Sequence, residues 1–221
     1  HGFTATPGTV LPLGQAVAQD GHYVRGILLP GHGTTIEDMQ RTNWKDWYDA
    51  AFNAYDEMAR ICKKVSVVGL SMGALTCLLA EHRPVHKAVP IAPALKILQH
   101  GSRLAKYFWP LVPILPGRDK NYQDYLFDYD VCYHDTPVKN IEDLNHLALL
   151  AKRDLKKITC PLLVVKAGQD QSVHPDAPKW IILQSSSVEK KLLVLPNSPH
   201  VCTLGAERQL LFRKVAAFLR D

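Results

Sequence analysis

Residues 65–74 read VSVVGLSMGA. Val65 to Leu70 are mostly apolar and β-branched, with Ser66 among them, which predicts a buried strand. Gly69, Ser71 and Gly73 then alternate, and a helical pattern starts at Met72. A strand that runs straight into a helix must reverse within a few residues. The residue at that corner takes a strained backbone conformation, and its neighbours two positions away must lack side chains. G-x-S-x-G therefore stands a serine hydroxyl clear of the carboxyl edge of a sheet. The helix N-terminus beneath it favours negative charge. A tight turn would give the same triplet by chance, but the strand before and the helix after supply the right context. Ser71 is the expected nucleophile.

Outward from this corner, strands and helices alternate. Strands are expected at Val24–Leu29, Val65–Gly69, Lys87–Ile91, Pro161–Ala167 and Lys191–Leu195. Helices are expected at Asn43–Ile61, Met72–Glu81, Pro175–Gln184 and Glu207–Arg220, with Asn43 as an N-cap. The fold class that follows is α/β, a doubly wound, mostly parallel sheet covered on both faces. From Pro93 to Lys157 no buried strand pattern occurs. That stretch holds YFWPLVPILPG at 107–117, an acidic aromatic run, and a helical pattern from Ile141 to about Lys152. The expected division is a core of residues 1–92 and 158–221, with 93–157 inserted as a lid. Trp109, stiffened by Pro110, is the expected substrate-binding wall residue of that lid.

A serine needs a base, and the base needs a carboxylate to orient it. His200, in NSPHV, follows the last strand. Asp170, in AGQDQSVHP, follows the strand before it. Both loops belong at the sheet edge that carries Ser71, in the chain order Ser, Asp, His. His174 and Asp176 fall at or in the next helix, and His82 and His86 beyond the far end of the helix after Ser71. The oxyanion donors are expected to be the backbone N–H of Met72 and that of Phe3, in HGFT at the start of the chain.

With 221 residues, 47% hydrophobic residues and a formal net charge of +5, the chain is an ordinary globular protein whose scattered Lys and Arg argue against a nucleic-acid partner. No run of 18 apolar residues occurs, which argues against stable membrane insertion. The five cysteines are far apart and lack metal-ligand spacing. Buried thiols in a reducing, cytoplasmic compartment are expected. Oligomeric state is not legible.

The motifs HGFT, LPGHGTTIEDMQRTNWKDW, VSVVGLSMGA, TCPLLVVKAGQDQSVHP and NSPHV together resemble the serine α/β-hydrolases, and within them the bacterial carboxylesterase and monoacylglycerol lipase group. The resemblance implies a lid after the sixth strand. It also implies N-terminal strands, before the His-Gly motif, that are missing from this chain. It implies hydrolysis of small-molecule acyl esters, short to medium in chain, monoacylglycerols among them, with no metal and no cofactor. Relatives acting on monoacylglycerols are expected to carry a lid glutamate shortly before a Thr-Pro; here the stretch is YHDTP, with His134 near that place. The same triad would serve a thioesterase, an acyltransferase or a carbon–carbon bond hydrolase. A binding protein on a hydrolase scaffold is the non-enzymatic alternative.

Overall fold

A computed structural model describes residues 1–79, 82–98, 109–117 and 121–220 of the protein. Its elements in chain order are α1 (Leu11–Gln19), α2 (Ile36–Gln40), α3 (Trp44–Ile61), β1 (Val67–Leu70), α4 (Met72–Leu79), β2 (Ala88–Ile91), β3 (Ile114–Leu115), β4 (Thr136–Pro137), α5 (Val138–Asp154), β5 (Leu162–Ala167), α6 (Ala177–Gln184), β6 (Lys190–Leu195) and α7 (Arg208–Arg220). β1, β2, β5 and β6 form one parallel sheet in that order, while β3 and β4 pair antiparallel.

The sheet is covered on both faces because its central strand alternates. Leu162 and Val164 of β5 join one core cluster, with Trp47 and Tyr55 of α3, Leu75 and Leu78 of α4, Leu144 and Leu147 of α5, and Ile181 of α6. Leu163 and Val165 join a second, with Leu13 and Val17 of α1 and Leu211, Val215 and Leu219 of α7. Successive strand side chains point to opposite faces, so one apolar strand feeds both layers. α3 starts where Asn43 predicts. The Asn43 side chain accepts from the Lys45 amide and the Asp46 carboxylate accepts from the Asn43 amide, a capping box.

Three readings of the sequence change. Val24–Leu29, expected as a strand, carries no ladder pairing: no described strand lies beside it, and the Leu29 N–H donates to the His1 ring instead (3.0 Å). The helix expected from Ile141 begins at Val138 as α5 and sinks Leu144, Leu147, Ala148 and Ala151 into the main core. The small β3–β4 ribbon lies within a stretch that showed no buried strand pattern. The ends expected for the helix after Ser71, Ala80 and Glu81, lie outside the described residues, as do Tyr107 and Phe108.

The loop after Leu29 carries a buried histidine. The His32 ring lies edge-on to His1 (4.9 Å) and to Trp47 (5.6 Å), and its Nδ1–H donates to the Pro30 carbonyl (3.0 Å). Burial pushes its pKa down to about 4, so the ring is neutral at pH 7. Between that value and the ordinary imidazole value of about 6.5, the unfolded chain binds more protons than the folded one. The stability from the neutral ring is therefore complete above that ordinary value and is lost as pH falls toward 4. Urea unfolding at pH 7 and pH 4.5 is expected to show a loss to which this residue contributes roughly 2 to 3 kcal/mol. His32→Gln should flatten that dependence; an unchanged pH slope would remove His32 from the acid sensitivity.

Candidate active site

Ser71 joins β1 to α4 with φ at +57°, a left-handed conformation that costs a non-glycine residue about 1–2 kcal/mol. Its surroundings hold it there. The Ser71 N–H donates to the Ile91 carbonyl at the end of β2 (2.9 Å), and its own carbonyl accepts from Ala74 (3.1 Å) and Ala94 (3.3 Å). Gly69 is required for the corner to close, since a Cβ there would lie 2.1 Å from the Gly73 carbonyl oxygen. A Cβ on Gly73 would lie 2.7 Å from the His1 carbonyl oxygen. The two glycines thus let the helix and the HGFT loop close on the corner.

Asp170 and His200 reach Ser71 from the loops after β5 and β6. Those loops touch: the Gly168 N–H donates to Leu195 O (2.8 Å), the Gln169 N–H to Ser198 O (3.0 Å), and a Cβ on Gly168 would lie 2.4 Å from the Pro196 carbonyl oxygen. Glu207 braces the His200 loop by accepting from the Asn197 amide (2.9 Å) and the Ser198 hydroxyl (2.8 Å). The Ser71 hydroxyl donates to His200 Nε2 (2.8 Å), and His200 Nδ1–H donates to Asp170 Oδ2 (2.7 Å). The other carboxylate oxygen, Oδ1, accepts from the Ser172 (2.8 Å) and Val173 (3.1 Å) amides, which fixes the plane of the carboxylate. Burial, with the nearby Asp170 charge adding to it, pushes the Cys202 thiol up to about 12, so a neutral thiol lies beneath the pair.

Gly2 stands directly against Ser71, with its Cβ position 3.5 Å from the Ser71 Cβ. No described residue accepts a hydrogen bond from the Phe3 amide or from the Met72 amide at the start of α4. Two N–H groups with no acceptor among the described residues, both next to the nucleophile's corner in the chain or in space, suit an incoming oxyanion.

A cavity of about 240 Å³ opens at Ser71 and His200. Its apolar wall comes from Phe3, Ile97, Ile141, Leu144, Val173 and Val201. Asp130, Tyr122 and Thr136 add polar groups. Asp130 accepts from the Tyr125 hydroxyl (2.7 Å), and burial with this bond drives the Tyr125 pKa far above the ordinary phenol value. Trp109 is not among the cavity-lining residues and is 40% exposed, with Leu111 beside it 80% exposed. His134 lies near Asp135 (3.8 Å) and is likewise outside the cavity wall. The structure thus brings together Ser71, Asp170, His200, Phe3 and Met72, and leaves Trp109 apart. Ile141 and Leu144 were missed because α5 reads as an ordinary amphipathic helix; the sequence signal for them was its place at the end of the stretch without a buried strand pattern. Among the described residues no group of three or more His, Cys, Asp or Glu could hold a metal ion, and no helix is long and apolar enough to cross a membrane.

A family model described as serine aminopeptidase, S33, matches residues 1–205. The chain is 34% identical to a thermostable monoacylglycerol lipase of Bacillus sp. (strain H-257), covering 99% of this chain and 87% of that protein. It is 24% identical to a carboxylesterase of Bacillus subtilis (strain 168), covering 99% and 89%. Among solved structures, one from the metagenome-derived lipolytic enzymes LipS and LipT superposes with a TM-score of 0.93 at 29% identity, covering 100% of this chain and 91% of that one. The monoacylglycerol lipase of Paleococcus ferrophilus shares the fold, with a TM-score of 0.82 at 17% identity over 99% of this chain and 91% of that one.

Proposed function

Because the chain belongs to the serine aminopeptidase S33 family of α/β-hydrolases, and is an ester hydrolase of that fold, we propose that it cleaves short- to medium-chain acyl esters, monoacylglycerols among them, through an acyl-enzyme on Ser71. What carries the reading is the run of two hydrogen bonds, Ser71 Oγ to His200 Nε2 (2.8 Å) and His200 Nδ1 to Asp170 Oδ2 (2.7 Å), at the mouth of an apolar cavity.

In this reading Ser71 Oγ attacks the ester carbonyl while His200 Nε2 takes its proton. Asp170 keeps the imidazole in the tautomer with hydrogen on Nδ1 and stabilises the imidazolium. The Phe3 and Met72 N–H groups receive the tetrahedral oxyanion. His200 then returns the proton to the departing alcohol oxygen, leaving the acyl group on Ser71. Water, deprotonated by His200, attacks the acyl carbonyl, and Ser71 leaves with the proton as the acid is released. The acyl chain would lie along Ile141, Leu144 and Val173, and the alcohol toward Asp130 and Thr136. We assign the lid role to the part of 93–157 that precedes α5. The absence of any disulfide among the five cysteines suits a reducing, cytoplasmic setting.

The test is a hydrolysis profile over p-nitrophenyl esters of rising chain length, monoacylglycerols and aminoacyl p-nitroanilides. Each methylene buried in the cavity should add up to about 0.8 kcal/mol, or about fourfold in kcat/KM, until the wall is filled. A rise from acetyl through medium chains, followed by a fall, is expected. A flat profile would sink the acyl-pocket assignment. Anilides cleaved faster than esters would replace the esterase reading with the peptidase that the family's description names.

A further inference from the structure

The loop that carries Phe3 closes a short turn of its own, with the Ala5 N–H donating to Gly2 O (3.3 Å) and the Thr4 hydroxyl to Phe3 O (2.6 Å), and the turn is held from outside as well. Thr4 sits at φ +62°, a conformation that a β-branched residue keeps only when its surroundings impose it. Those surroundings come from the lid. Residues 131–133 run antiparallel to residues 4–6 and make a bridge between Ala5 and Cys132. The Thr6 N–H donates to Val131 O (3.0 Å), and the Tyr133 N–H donates to Thr4 O (2.9 Å). The Tyr133 hydroxyl then ties this clamp to a second loop: it donates to Gly31 O (2.8 Å) and accepts from the Thr34 N–H (3.0 Å). That second loop is itself fixed. Trp47 Nε1–H donates to Pro30 O (3.1 Å), His32 packs on His1, and a Cβ on Gly31 would lie 2.8 Å from the Met39 Cα.

From this geometry we infer that Tyr133 is the positioning residue of the oxyanion loop, holding the Phe3 N–H in its receiving orientation by anchoring Thr4 to the Pro30–Thr34 loop. The inference rests on the esterase reading above. Tyr133 touches neither Ser71 nor His200 in any hydrogen bond, and it does not line the cavity. Through Thr4 its main effect is on where the Phe3 N–H points, and therefore on the tetrahedral state more than on ester binding, although Thr4, Ala5 and Cys132 of the same clamp line the cavity.

Tyr133→Phe keeps the ring and the backbone bond to Thr4 and removes only the hydroxyl's bonds to Gly31 O, the Thr34 N–H and the Thr34 hydroxyl (3.3 Å). Activity is measured per active site, counted by the end point of fluorophosphonate labelling, so that unfolded chains do not enter. The expected result is a kcat lowered about tenfold or more with KM within about twofold. The affinity for an acyl trifluoromethyl ketone, which forms a tetrahedral adduct, should weaken by the same factor. Parental kcat per labelled site, or a loss confined to KM, would overturn the positioning role. A weakened kcat with unchanged ketone affinity would also overturn it. Labelling at Ser71 to one per chain keeps the esterase reading standing in all three cases, and its absence from the parent protein would remove that reading instead.

Discussion

Ser71→Ala is expected to lower kcat/KM for a short-chain ester by about 10⁴-fold or more. The hydroxyl oxygen is the atom proposed to bond to the acyl carbon, and among the described residues no other side chain hydrogen-bonds His200 Nε2. The variant retains the β-carbon and so the strained φ of +57°, while the bonds to Ile91, Ala74 and Ala94 are all backbone and survive. The melting temperature should therefore stay within about 3 °C of the parent. Activity that persists in the purified variant, free of contaminating esterase, would remove Ser71 from the chemistry.

Asp170→Asn should cost about as much, near 10⁴-fold in kcat, for a reason particular to this site. Asp170 Oδ1 accepts from two amides, those of Ser172 and Val173. An asparagine must keep its carbonyl oxygen there, because an NH₂ group cannot accept. Its NH₂ is then forced into the position of Oδ2, facing His200 Nδ1. That nitrogen becomes an acceptor, the ring proton moves to Nε2, and Nε2 can no longer take the proton from Ser71. A loss of tenfold or less would mean that the His200 tautomer is not held by this residue.

The corner at Ser71 was legible in the sequence because its determinants are local: two glycines and a serine at alternate positions decide a backbone path within five residues. Asp170 and His200 were legible because parallel strands deliver every following loop to one edge, so chain order alone put them near Ser71. Val24–Leu29 misled because a strand is defined by its partner, and its pattern cannot say whether one lies beside it. Trp109 was expected at the cavity wall because Pro110 stiffens an apolar segment there, whereas the described lining comes from Ile97, α5 and Val173, segments separated by many residues. Tyr133 could not have been found at all: its importance lies in reaching Thr4, Gly31 and Thr34 at once, and nothing in YHDTP signals those contacts.

Catalysis through a covalent acyl intermediate on Ser71, activated by His200, requires that this hydroxyl be the group an active-site reagent modifies. The direct measurement is reaction with a fluorophosphonate, followed by intact mass and peptide mapping of the parent and of His200→Ala. The expected result is one adduct per chain on the peptide holding Ser71, loss of ester hydrolysis in step with labelling, and labelling slowed by orders of magnitude in the variant. An adduct on another residue, or full ester hydrolysis by fully exposed protein that takes no label, would contradict it.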